Sequence, residues 1–294
     1  MDAPEEILVG YDGSAEAVPA LRWAARQAVL RGWALHLVHS TLWPALTHDL
    51  GPVPGIAGSG LRRAAEDILA DGVERIHADA PQLAVTSTLL YGWAAEHLRD
   101  LSSTAGLLVV GTRGAGGFMG LLIRSVSLDL AATAECPVAV VRAGEHPDGP
   151  VVVGLDIDDW ESPLRHACTL AALSRVPLQA VHVRKVFRLP GIAAARPATS
   201  QDNPGTEVRT LLDSAERVAR GTFPGLDIQS RAVTGASIPG SLLAQAKDAS
   251  IVVLGTKGRG MIRGTVGSTA HAVLHHAKCP VLLVRERVAA VKPQ

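Results

Sequence analysis

The chain has 294 residues, enough for two domains of ordinary size that each bury their own core. It carries 28 basic and 28 acidic residues, so a general nucleic-acid binder, which would show a clear basic excess, is not expected. Three cysteines do not form a disulfide framework in a chain of this length, which favours a reducing compartment.

The N-terminal region lacks the pattern of a targeting segment. Asp2, Glu5 and Glu6 directly precede the first apolar run, so neither a basic n-region nor an apolar h-region is present. No apolar run approaches the roughly 20 residues that a spanning helix needs. We therefore expect a cytoplasmic protein with no membrane or nucleic-acid partner.

Apolar runs and helical periodicity alternate along the first half. Residues 7–9 predict a buried strand that ends in a turn, with Ser14 as the N-cap of a helix at residues 17–28. Residues 40–60, rich in Pro and Gly, predict a long surface loop. Further strands are predicted at residues 35–38, 85–90, 107–110 and 138–141, and further helices at residues 61–77, 94–101 and 125–134.

The same order returns after a linker at residues 144–150. Asp12 and Asp156 are 144 positions apart, Gly111 and Gly255 are also 144 apart, and Cys136 and Cys279 are 143 apart. This constancy predicts a duplicated α/β domain, at residues 1–144 and 150–288. Strands are predicted at residues 151–153, 178–183, 228–233, 251–254 and 281–284, helices around residues 170–172, 208–219 and 242–246, and a long loop at residues 184–204.

A glycine-rich loop follows the fourth strand of each half and precedes a helix. Glycines let backbone N–H groups approach an anion, and the helix start adds unpaired donors and a positive dipole end. The pattern therefore predicts that each loop holds phosphate. The loop residues are Gly111, Thr112, Arg113, Gly114, Gly116, Arg124, Ser125 and Val126 in the first half, and Gly255, Thr256, Lys257, Gly258, Gly260, Gly267, Ser268 and Thr269 in the second.

Three common motifs do not account for these loops. A dinucleotide fingerprint belongs after the first strand of a βαβ unit, with an acidic residue about 20 positions on, and these loops follow the fourth strand. A Walker A loop needs Gly-Lys-Ser/Thr, which the chain does not contain. A G-x-S-x-G nucleophile elbow is also missing.

The motifs that are present resemble those of the universal stress protein family. They are V-G-x-D-G-S after the first strand, G-x2-G-x9-G-[ST] after the fourth and C-P-V-x-V-V at the fifth. The set is similar to the ATP-binding branch of that family in its tandem form. The resemblance implies two Rossmann-like open parallel sheets of strand order 3-2-1-4-5, with helices on both faces.

The resemblance also implies where a nucleotide lies. Gly10 and Asp12 would contact the nucleoside, with Gly154 and Asp156 as their equivalents, and the glycine loops would contact the phosphates. Both copies depart from the family pattern: Arg124 replaces the third glycine of the first loop, and the second loop is one residue short. Two alternatives remain open, namely that the glycines form tight strand-to-helix connections and that the aspartates cap helices.

The implied function is regulation or sensing by a bound ATP, with Mg²⁺ entering through the phosphates. The family also implies pairing of the two copies, or a homo-oligomer, through the final strands. One alternative is an enzyme that hydrolyses ATP or transfers its adenylyl group, for which no general base is evident at the loops. The other is a nucleotide-free scaffold.

A cluster of possible metal ligands lies near the C-terminus. His271, His275 and Cys279 are spaced at four-residue intervals, which admits a zinc site. The first half repeats the cysteine without the histidines, so a small buried thiol is the favoured interpretation.

Overall fold

A computed structural model describes residues 5–42, 59–112, 126–142, 144, 146–186, 204–256 and 265–285. It divides into two compact units, the first up to residue 143 and the second containing most residues from 144 onward. The predicted boundaries at residues 1–144 and 150–288 remain predictions. No helix in the described ranges has both the length and the apolar composition of a membrane span.

The first unit is an open parallel sheet with helices on both faces. Its elements are β1 (Glu6–Gly10), α1 (Val18–Arg31), β2 (Ala34–Thr41), α2 (Ser59–Asp79), β3 (Val85–Tyr91), α3 (Ala94–Leu101), a 3₁₀ turn (Ser102–Thr104), β4 (Leu107–Gly111), α4 (Val126–Thr133) and β5 (Val138–Val141). The strand order is β3-β2-β1-β4-β5, which confirms the order implied by the resemblance. The helix pairs α1 with α2 and α3 with α4 each pack together.

The second unit repeats this arrangement. Its elements are β6 (Val151–Gly154), α5 (Glu161–Ser174), β7 (Leu178–Lys185), α6 (Pro204–Thr222), β8 (Ile228–Gly235), α7 (Ile238–Gln245), β9 (Ile251–Gly255), α8 (Ser268–His276) and β10 (Val281–Val284). The strand order is β8-β7-β6-β9-β10, equivalent to that of the first unit.

The central strands are short apolar runs because both of their faces are covered by helices. All of the residues of β4 except its final glycine are buried, and β9 shows the same pattern. β2 and β7 extend past their predicted ends, to Thr41 and Lys185, because β3 and β8 pair with them along that whole length.

Candidate functional site

The predicted site residues meet where β1 and β4 end side by side. The two strands are parallel and paired, with Ile7 opposite Leu107 and Val9 opposite Val109, so Gly10 and Gly111 reach the same edge of the sheet. The strand order reverses between β1 and β4, so the connections that leave them lead to opposite faces. A ligand crevice is expected at such a point. β6 and β9 form the same arrangement in the second unit.

Asp12 shapes the turn after β1. Its Oδ1 accepts hydrogen bonds from the backbone N–H of Ser14 at 3.0 Å and from the Ser14 hydroxyl at 2.6 Å. Gly13 between them has φ = +76°, a conformation that favours glycine. The prediction of Ser14 as an N-cap is wrong: α1 begins at Val18 after Ala17, without a side-chain cap, because Asp12 engages the Ser14 hydroxyl. Asp12 likewise orders the turn and does not cap the helix.

The corresponding turn of the second unit is more acidic. Asp156 Oδ1 accepts the backbone N–H of Asp158 at 3.1 Å. A Cβ added to Gly255 would lie only 2.7 Å from Oδ2 of Asp159, so this carboxylate packs against the end of β9. The equivalent residue of the first half, 144 positions earlier, is Ala15. At this position the second crevice therefore has a carboxylate where the first half has a methyl group.

Close packing explains the glycines at the ends of β1 and β6. A Cβ on Gly10 would lie 2.9 Å from Cδ1 of Leu98, and one on Gly154 would lie 2.5 Å from Cδ2 of Leu254. Real Cβ atoms rarely approach other atoms so closely, so close packing against these leucines favours glycine at both positions. The tight-connection alternative concerns the loops that follow β4 and β9, and these contacts do not test it.

A histidine at equivalent positions of β2 and β7 holds each turn in place. His39 Nδ1 lies 2.8 Å from the carbonyl oxygen of Tyr11, and His182 Nδ1 lies 2.9 Å from that of Leu155. Since a carbonyl only accepts, Nδ1 carries the proton and donates in both cases. These contacts give both histidines a structural role at the strand ends.

Sequence reasoning missed a polar network in the first unit. The Tyr11 hydroxyl donates to Asp71 at 2.9 Å, and Arg75 donates to the same carboxylate at 2.7 Å. Burial, with the neighbouring Asp71, raises the pKa of Tyr11 to about 12. The network ties α2 to the turn after β1. Tyr11 and Asp71 lie 60 positions apart in the chain, and no local motif relates them.

The predicted donors at the helix starts are partly engaged by the protein itself. Gly267 donates its backbone N–H to the Thr256 carbonyl at 3.1 Å, and the Thr256 N–H reaches the Val284 carbonyl at 3.0 Å. α8 begins at Ser268, so Ser268 and Thr269 supply the first-turn amides of that helix. α4 begins at Val126.

The remaining predicted phosphate contacts lie outside the described residues. They are Arg113, Gly114, Gly116, Arg124 and Ser125 in the first half and Lys257, Gly258 and Gly260 in the second. Their assignment therefore still depends on the sequence motif. Gly111, Thr112, Gly255 and Thr256 are described and stand at or just after the ends of β4 and β9.

Both halves match one protein family. The model of the universal stress protein family matches residues 4–142 and again residues 149–285. The chain belongs to the universal stress protein family. Its tandem form extends over nearly the whole sequence, in agreement with the duplication seen in the residue spacing.

Similar proteins have the same tandem length as this universal stress protein. It is 34% identical to a universal stress protein of Mycobacterium tuberculosis over 300 residues, covering 95% of this chain and 96% of the relative. A relative from Mycolicibacterium smegmatis is also 34% identical, with 96% and 97% covered. The crystal structure of a universal stress protein from Archaeoglobus fulgidus superposes with a TM-score of 0.69 at 18% identity, covering 96% of each chain, which shows the shared fold.

The histidines near the C-terminus of this universal stress protein do not converge with Cys279. His271 and His275 are exposed on α8, with ring centroids 4.7 Å apart, whereas Cys279 is buried. In the described part of the chain, no three metal-ligating side chains form a group that would hold a metal ion. All three cysteines are buried and none is part of a disulfide, and burial raises the pKa of Cys168 to about 11.

Proposed function

We propose that this universal stress protein binds ATP in the crevice of each half and acts as a nucleotide-dependent regulator or sensor in the stress response. The observation that carries the proposal is the direct pairing of β1 with β4, and of β6 with β9. In each pair, one strand leads to an ordered aspartate turn and the other to a glycine-rich loop, at the point where the strand order reverses.

The regulatory mechanism would be thermodynamic linkage. ATP that binds one conformation more tightly than another shifts the population toward it and so changes contacts with a downstream partner. Mg²⁺ would enter with the phosphates, because it retains water ligands and needs few protein groups. We propose a cytoplasmic homo-oligomer whose role is binding, with ATP hydrolysis slow or absent.

The proposal is tested by the small molecule that leaves the purified protein on acid denaturation and by the melting temperature with added ATP. Release of ATP, together with an ATP-dependent rise in melting temperature, is the expected result. Steady formation of ADP or AMP over many turnovers would instead indicate an enzyme. A protein that purifies empty and whose melting temperature does not respond to ATP would indicate a nucleotide-free scaffold.

We expect Asp159→Asn to strengthen ATP binding in the second half. The substitution removes a negative charge beside the end of β9, where the phosphates would lie, and we expect about a fivefold lower dissociation constant. Isothermal titration calorimetry in a Gly114→Ala background isolates the second half. Asp227→Asn is the control because it makes the same charge change just before β8. This position lies at the amino-terminal ends of the strands, whereas the crevice lies at their carboxyl-terminal ends. Equal affinities in both variants would contradict the assignment.

A further inference from the structure

The second unit contains a cavity of about 330 Å³ that is open to solvent, between α6 and the last residues of β7 and β8, and its charged lining residues are exposed. This volume falls within the range of small-molecule sites. None of its lining residues belongs to the set assigned to the nucleotide. The cavity therefore needs a separate explanation.

Two cross-strand pairs at this place differ between the units. In the first unit, His39 is opposite Leu89, and Thr41 is opposite Tyr91. In the second unit, Ala232 is opposite His182, and Thr234 is opposite Arg184. Cross-strand partners share a face of the sheet, so Ala232 leaves space beside His182 that Leu89 takes beside His39, while a guanidinium replaces the hydroxyl of Thr41.

The strand-end histidines respond to this difference. Each makes the same Nδ1 hydrogen bond to a backbone carbonyl, but His39 is buried at 7% exposure while His182 is half-buried and lines the cavity. Because Nδ1 of His182 carries its proton, Nε2 of the neutral ring is an acceptor. It is available to a donor group of a ligand.

The remaining lining combines cations, a second acceptor and an apolar wall. Arg184 and Arg209 line the cavity together with Asp213, and neither guanidinium has an ion pair within the described residues. Val208 and Leu212 of α6, each 8% exposed, supply the apolar wall. Guanidinium groups suit carboxylates through paired N–H donors.

We infer that this cavity binds a small organic carboxylate that carries a hydroxyl or ammonium group on the neighbouring carbon, that is, a hydroxy acid or an amino acid with an apolar side chain. The arginines would hold the carboxylate, while Asp213 and Nε2 of His182 supply acceptors for the hydroxyl or ammonium group. Two arginines against one aspartate leave a single net positive charge, which suits a ligand with one carboxylate better than a triphosphate. The inference does not depend on the proposed ATP function.

Four compounds that share a branched carbon skeleton test this inference by calorimetry on the full chain. They are leucine, leucate, isocaproate, which lacks the donor, and isoamylamine, which lacks the carboxylate. We expect leucine or leucate to bind saturably, isocaproate to bind at least about tenfold more weakly, and isoamylamine to give no signal. Affinity is expected to be the same in saturating ATP.

Two substitutions locate the binding. Ala232→Leu restores the bulk of Leu89 on an exposed edge strand and is expected to abolish binding, and Arg209→Ala is expected to weaken it at least about tenfold. Arg217→Ala, exposed on the same helix but not part of the cavity lining, is the matched control. Circular dichroism verifies that each variant folds. If Ala232→Leu does not fold, the affinity of Arg209→Ala alone tests the location of the site. Absence of binding to the wild type, binding that survives both substitutions, or competition by ATP would overturn the inference.

Discussion

Gly114→Ala and Gly258→Ala are each expected to remove ATP from one half of the chain, and the double variant is expected to purify without nucleotide. In the sequence, each glycine lies between a strand that ends at the crevice and the helix that follows it, β4 with α4 and β9 with α8. A methyl group at that point restricts the backbone and obstructs the approach of its N–H groups to phosphate. We expect at least about a tenfold loss of affinity per half.

The measurement is quantitation of nucleotide released by acid, together with calorimetric titration of each single variant. Gly60→Ala in the first unit and Gly221→Ala in the second are matched controls, because an added Cβ at either position meets no atom within 4 Å. If the double variant retains the nucleotide content of the wild type, the loops are not the phosphate sites.

Gly149→Ala is expected to destabilise the second unit strongly. The added Cβ would lie 2.0 Å from the backbone oxygen of Asp248 and 3.1 Å from the backbone nitrogen of Ser250. Ser250 also donates its N–H to the carbonyl of Pro150 at 3.0 Å, so this backbone is fixed at the start of β6. Because backbone atoms must move, we expect the free energy of unfolding to fall by about 3 kcal/mol.

Urea unfolding followed by circular dichroism measures this loss, and we expect the transition of the second unit to shift to lower urea. Gly225→Ala is the control, since its Cβ would meet no neighbouring atom. Coincident unfolding curves for Gly149→Ala and the wild type would show that the chain relaxes without cost at this turn.

Local sequence signals predicted the strands and the duplicated order because these depend on apolar runs and residue spacing. β4, predicted at residues 107–110, spans Leu107–Gly111, and β5 matches its predicted range. The strand ends were less predictable. The last residues of β2 are polar and lie at the start of a Pro- and Gly-rich stretch, and only pairing with β3 keeps them extended as far as Thr41.

Some features of the candidate site could also be predicted from the sequence, and others could not. The aspartate after the first strand of each half marked a turn that the structure contains, whereas the phosphate loops still depend on glycine spacing alone. The partner of Asp12, the buried Tyr11 hydroxyl on Asp71 and the carboxylate of Asp159 beside Gly255 were not predictable, because each depends on which side chain comes nearest after folding.

By itself, the sequence determined that this protein consists of two copies of one α/β domain, because periodicity and constant residue spacing are properties of the chain. Only the tertiary structure decided that the two copies differ in chemistry. Strand register places Leu89 and Tyr91 beside β2, and it places Ala232 and Thr234 beside the equivalent strand β7. Packing places the carboxylate of Asp159 beside Gly255 in the second crevice. Such differences arise between residues that are distant in sequence, where local patterns carry no information.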